Sequence, residues 1–124
     1  MKKFIQNFEE LAINRNRELA LDILEVGLSS INTESVILNS IKFENNILSI
    51  RNETFDLSKF KKIKVIGFGK ASGDGIVALE KILGERITEG AVIGLQKVDA
   101  QYVEIFAGTH PRPSENNVVA GKRI

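Results

Sequence analysis

The residues best suited to chemistry in this 124-residue chain fall in two short stretches, VIGFGKASGDG at 65–75 and GTHPRPS at 108–114. The first places four glycines and one lysine in eleven residues, straight after an apolar run. At the end of a strand and ahead of a helix, Gly67 and Gly69 would expose backbone N–H groups where the helix dipole is positive, which suits a bound anion. Glycine permits both the tight turn and the close approach of a ligand to the backbone. Lys70 adds a full charge and three donors where a phosphate or carboxylate would lie, and Ser72 follows two residues later. The stretch predicts a backbone cradle for an anionic ligand, with Lys70 as its charged arm.

The second stretch holds the single histidine. Pro111 and Pro113 fix their own φ and bias the residues before them toward extended backbone, so the turn holds its side chains in place. If the strands preceding the two turns run parallel, His110 and Arg112 reach the same crevice as Lys70, at the carboxyl ends of the strands where open α/β sheets bind ligands. A lone histidine in a turn is also a common structural hydrogen-bonder.

Three readings of the glycine turn remain open on spacing alone. Gly67, Gly69 and Gly73 spell G-x-G-x-x-x-G, near a dinucleotide fingerprint, but the strand after it ends in GLQK and offers Lys97 where an acidic residue is expected. A P-loop does not fit, because the lysine precedes the later glycines. A tight strand–helix turn with a solvated lysine accounts for the same residues without a ligand.

Composition narrows the classes. Lysine and arginine number 17 and aspartate and glutamate 16, a net charge of +1 with well-mixed signs, so bulk charge names no partner. KFKKIK at 59–64 reads as the solvated start of a strand, with only Phe60 as an aromatic neighbour, so no nucleic-acid surface is expected. The absence of cysteine excludes disulfides, thiolate zinc sites and a cysteine nucleophile. Scattered carboxylates show no metal-ligand spacing. No signal peptide or membrane-length apolar run is present, so a soluble, cytoplasmic protein with no membrane partner is expected.

The elements that must position the two turns follow from periodicity. Leu19, Ala20, Ile23, Leu24, Gly27, Leu28 and Ile31 form a helical stripe with Glu18, Asp22, Glu25 and Ser29 opposite, predicting an amphipathic helix over 16–31 capped by Asn14 or Asn16. Phe4, Phe8, Leu11 and Ala12 predict a shorter helix before it, and NTESVILNSI a third, capped by Asn32 or Thr33. Alternation on either side of Asn45-Asn46 predicts a β-hairpin of strands near 41–44 and 47–51. IKVIGFG, a helix over 71–83 ended by Gly84, and AVIGL then form a βαβ unit. YVEIFAG adds a strand, and Ser114 caps a final helix.

Only QKVDAQ joins the last two strands, which by rule makes an antiparallel hairpin. Six or seven extended residues nevertheless span roughly 20 Å, enough for a bare parallel crossover, and the parallel arrangement is preferred because it brings both turns to one end of the sheet. The last helix receives no stop signal, so the chain reads as the front part of a longer polypeptide. The expected architecture is α/β: a Rossmann-like, partly parallel sheet at 61–124 in βαβ-β-α order, behind helices and a hairpin at 1–60, as a partial domain.

Residues 56–124 resemble the N-terminal domain of the type-2 glycerate kinases, whose C-terminal domain carries the MOFRL name. GFGKAS matches the G-x-GKA turn of that family, and GTHPRPSEN its G-G-H-P-x-P-D-E-N segment. Thr109 stands where the family has glycine, Ser114 where it has aspartate, and SGDG where it has small and apolar residues. The resemblance implies ATP- and Mg2+-dependent phosphorylation of D-glycerate in an interdomain cleft whose second domain is absent here. It makes Lys70 the catalytic or substrate-binding lysine and places His110 and its neighbours at the same cleft, with Gly67, Gly69, Ser72 and Arg112 as companion substrate-binding candidates. The 124 residues by themselves are then expected to be inactive. Two alternatives stay open: an NAD(P)-dependent hydroxy-acid or hydroxypyruvate oxidoreductase domain, and a non-catalytic anion-binding unit or homo-oligomer that associates through an unfinished sheet edge.

Overall fold

The computed structural model describes residues 4–124. Helix α1 (Phe8–Leu11), helix α2 (Arg15–Ser30) and helix α3 (Thr33–Ser40) come first. The side chain of Asn14 accepts the amide of Arg17, and that of Asn32 accepts the amide of Ser35, so both asparagine caps satisfy orphan helix donors.

The polarity of α2 is reversed relative to expectation. Its apolar stripe faces outward, with Ile23 66% exposed, while Glu25 is buried and accepts the amides of Phe4 and Ile5. Two backbone donors offset the cost of burying that carboxylate, and they hold the segment before α1 against the helix.

Strands β1 (Ile41–Glu44), β2 (Ile47–Ile50) and β3 (Glu53–Asp56) form an antiparallel meander. Asn45 and Asn46 take φ of 51° and 65° at the first turn, as the paired asparagines predict. The residue pattern predicts two of these strands. The third is added because Arg51 adopts a φ of 54° and turns the chain again at Arg51-Asn52, a position without glycine that turn chemistry does not flag.

Strand β4 (Lys64–Phe68), helix α4 (Ser72–Leu83), strand β5 (Glu89–Gly94), strand β6 (Glu104–Ala107) and helix α5 (Glu115–Arg123) complete the chain. The second sheet has the order β4-β5-β6, and both pairings are parallel. Gly84 ends α4 with a φ of 49°.

The short β5–β6 connection is the bare parallel crossover, held against α4 by two contacts. Glu80 accepts the amides of Gln101 and Tyr102, each at 2.8 Å. Val98 lies over Gly73, where an added Cβ would come within 3.1 Å of the valine. That close approach accounts for Gly73 without a ligand, whereas an added Cβ at Gly75 would make only ordinary contact with Ile37, at 3.5 Å.

Helix α4 is the centre of the molecule. Ile76 and Leu83 are buried with Leu57, Ile87, Val92 and Val103, and Phe43 and Leu48 of the meander pack on the same cluster. The helix thus lies between the two sheets. Both crossovers of the parallel sheet step in the same direction, so they share one face, and α5 packs on β5 and β6 from the other. Strand β4 is an edge of the described sheet, and Ile66 and Phe68 on its second face are exposed.

Candidate functional site: the cleft at the carboxyl ends of the parallel strands

Parallel pairing brings the ends of all three strands to one side of the sheet. Phe68, Gly69 and Lys70 after β4, Ile93, Gly94 and Leu95 at the end of β5, and Gly108, Thr109 and His110 after β6 line one cleft with Asn117 of α5. No carboxylate lines it. The cleft measures about 230 Å³, below the roughly 300–1,000 Å³ of most small-molecule sites. That volume suits a phosphate or a three-carbon hydroxy acid and is too small for a nucleotide.

The β4 turn is fixed by backbone and one hydroxyl. Gly69 has a φ of +109°, a conformation that L side chains rarely adopt. Its N–H donates to the carbonyl of Ile93 at 3.2 Å, so this amide continues the ladder and is not presented to a ligand. The Ser72 hydroxyl lies 2.7 Å from the Gly69 carbonyl and 2.8 Å from that of Ile93, tying the turn to β5. Among the described residues, the amides of Lys70 and Ala71 donate to no carbonyl, and the Lys70 ammonium has no ion pair. Lys70 therefore brings an uncommitted N–H and a cation to the cleft, one residue before the N-cap of α4 at Ala71.

The β6 turn is fixed by Asn117. Its Oδ1 accepts the amides of Thr109 at 3.0 Å and Ser114 at 2.9 Å, and its Nδ2 donates to the Thr109 carbonyl at 3.4 Å. The Thr109 hydroxyl donates to the Arg112 carbonyl at 2.7 Å. Gly108 donates to the Gly94 carbonyl at 2.8 Å and has no room for a side chain, since a Cβ would meet Asn117 at 2.7 Å and Ile93 at 2.8 Å. The His110–Pro111 peptide is cis.

The candidate residues separate on this geometry. Lys70, Gly69 and His110 share the cleft. Gly67 lies inside β4, where a Cβ would strike Val92 at 2.9 Å, so packing of strand against strand accounts for that glycine. The Ser72 hydroxyl is committed to two carbonyls. Arg112 is exposed in the turn and does not line the cleft. Sequence reasoning missed Asn117; the signal for it was its place three residues after Ser114, the N3 position of a capping box. No group of three or more His, Asp or Glu able to hold a metal occurs among the described residues. Lys97 lines a separate groove with Glu104 and Phe106, and no helix among the described residues is long and apolar enough to cross a membrane.

The fold and site define an α/β unit with a small cationic cleft at the carboxyl edge of a parallel sheet. The chain belongs to the DUF4147 family, described as a domain of unknown function, whose family model matches residues 19–124. Among solved structures it is similar to the PH0495 protein from Pyrococcus horikoshii OT3, with a TM-score of 0.75 at 21% identity over 88% of this chain. This chain spans 24% of the length of that protein. No curated protein matches the chain.

Proposed function

We propose that this chain forms the acceptor-binding wall of an ATP- and Mg2+-dependent kinase that phosphorylates D-glycerate. The observation that carries the reading is the meeting of Lys70 and His110 in a cleft free of carboxylates and sized for a three-carbon acid. The G-x-GKA turn and the GTHPRPSEN segment, matched to the glycerate kinases by resemblance, are the two turns that build this cleft.

Phosphoryl transfer depends on positioning and electrostatic stabilisation more than on covalent chemistry. Lys70 and the free amides of Lys70 and Ala71 would hold the acceptor carboxylate or the transferred phosphate. His110 would hydrogen-bond an acceptor hydroxyl, and Asn117 would keep the His110 turn in place. ATP would supply the phosphoryl group and Mg2+ would neutralise its phosphates. No metal-ligating cluster occurs among the described residues and the cleft is too small for a nucleotide, so ATP and Mg2+ would be held by a further wall. The described residues alone would then bind the anion without turning it over.

The test is ATP-dependent phosphorylation of D-glycerate by the full-length protein. Lys70→Ala is expected to lower kcat/KM by about 10²-fold or more, in the range seen when one charge-stabilising donor is removed. An unchanged kcat/KM would overturn the assignment of Lys70.

A further inference from the structure

Strand β5 holds both cleft turns on adjacent carbonyls. Gly69, after β4, donates its amide to Ile93, and Gly108, after β6, donates its amide to Gly94. Neighbouring strands lie about 4.8 Å apart, so the two turns face each other across about 10 Å. Side chains from the two sides can close that gap around a small anion. The Lys70 turn is fixed further by Ser72, and the His110 turn by Asn117 and by the hydrogen bond from Thr109 to the Arg112 carbonyl.

The two ionisable side chains that line the cleft are both basic, Lys70 and His110. Among the described residues neither takes part in an ion pair, and the imidazole has no hydrogen-bond partner. Other charged groups on the surrounding elements lie away from it. Arg112 in the same turn and Glu115 at the start of α5 are exposed and do not line the cleft. Lys97 and Asp99 of the β5–β6 connection line other grooves, and the end of β5 supplies only Ile93, Gly94 and Leu95. The charge of the cleft is thus set by one lysine and one imidazole, and of these only an imidazole ordinarily changes charge between about pH 5 and pH 8.

We infer that anion binding in this cleft is coupled to proton uptake at His110, so the cleft holds its anion more tightly as pH falls from about 8 to about 5.5. The inference rests on the reading of the cleft as the anion site and adds a regulator to that site. A bound anion favours the imidazolium over the neutral ring. By linkage, the imidazolium raises the affinity for the anion by the same factor. Affinity is therefore highest below the imidazole range, falls through it and levels off above it. One added unit charge at about 4 Å in a fully hydrated setting raises affinity about fivefold, and more where water is excluded.

Sulfate and D-glycerate are the probes, because neither changes its ionisation over this range and any pH effect belongs to the protein. Each is titrated at about pH 5.5 and about pH 8, at constant ionic strength, and followed by the amide resonances of Lys70, Ala71 and Gly108. Calorimetry at about pH 6.5, in two buffers of different ionisation enthalpy, counts the protons taken up. The wild-type protein is expected to bind both probes about fivefold or more tightly at the lower pH, with net proton uptake. His110→Asn is expected to give the same dissociation constant at both pH values, whatever that constant is, and no proton uptake. Circular dichroism checks that this variant is folded, and the wild-type calorimetry stands without it. Equal wild-type affinities at the two pH values, with no proton uptake, would overturn the inference and leave the anion site standing. An unchanged pH dependence in folded His110→Asn would also overturn it, by assigning the proton to another group. Amides that neither probe shifts at either pH would overturn the anion site itself, and the inference with it.

Discussion

Ser72 and Ile93 are joined by a 2.8 Å hydrogen bond from the serine hydroxyl to the backbone carbonyl, which ties the first residue of α4 to the end of β5. The same hydroxyl lies 2.7 Å from the Gly69 carbonyl. One short side chain therefore holds the Lys70 turn at a fixed distance from the next strand. Ser72→Ala leaves both carbonyls without this partner and is expected to destabilise the chain by about 1–2 kcal/mol, measured by urea unfolding. Unchanged stability would show that the hydroxyl is dispensable to the turn.

Gly69 sits at φ +109° with open space around its missing side chain. Substitution there acts through backbone strain, with no steric clash involved. Gly69→Ala is expected to cost about 1–3 kcal/mol and to displace the Lys70 amide, whereas Gly27→Ala, in a regular helix, should stabilise by up to about 1 kcal/mol. Thermal melts of the two variants, compared with wild type, check the opposite signs.

Asn117 fastens the His110 turn to α5 through the amides of Thr109 and Ser114. Asn117→Ala removes the one acceptor that both amides share and is expected to cost about 1–2 kcal/mol. Asn117→Asp keeps the oxygen that accepts both amides and should retain most of the stability. Equal losses in the two variants would contradict the assignment of the Oδ1 atom as the anchor.

Glu89 pairs with Lys64 at 2.6 Å across β4 and β5, and the hydrogen bond and charge of Lys64 hold its carboxyl below the ordinary 4.5. A carboxylate with a lowered folded-state pKa adds stability above its unfolded value, and that contribution is lost as pH falls through the folded value. Wild type should therefore lose more stability than Glu89→Gln on acidification below about pH 4.5. Parallel stability–pH curves for the two proteins would show that this exposed pair contributes nothing.

Much of this architecture was legible in the residues. The asparagine caps, the Asn45-Asn46 turn, the Gly84 stop and the strand–turn–helix around Lys70 are local signals, and local chemistry decides them. The parallel crossover was legible only through a length argument. What holds it, Glu80 against the amides of Gln101 and Tyr102, is a contact between distant residues that no window reveals. Strand β3 was missed because Arg51 adopts positive φ without being glycine or asparagine. The facing of α2 was misread because periodicity locates an apolar stripe without saying what covers it, and the buried Glu25 satisfies backbone amides instead. At the cleft, Lys70 and His110 meet as their positions at strand ends implied, while Gly67 and Ser72 are occupied in packing and in fixing the turn.

The central claim is that the Lys70–His110 cleft binds a small anionic hydroxy acid or phosphate. Its most direct measurement is a titration of the purified chain with D-glycerate, and separately with inorganic phosphate, followed by the amide resonances of Gly69, Lys70, Ala71, Gly108, Thr109 and His110. The account predicts saturable shifts confined to these two turns, abolished by Lys70→Ala while the rest of the spectrum is preserved. Shifts that are absent, or that persist unchanged in Lys70→Ala, would contradict it.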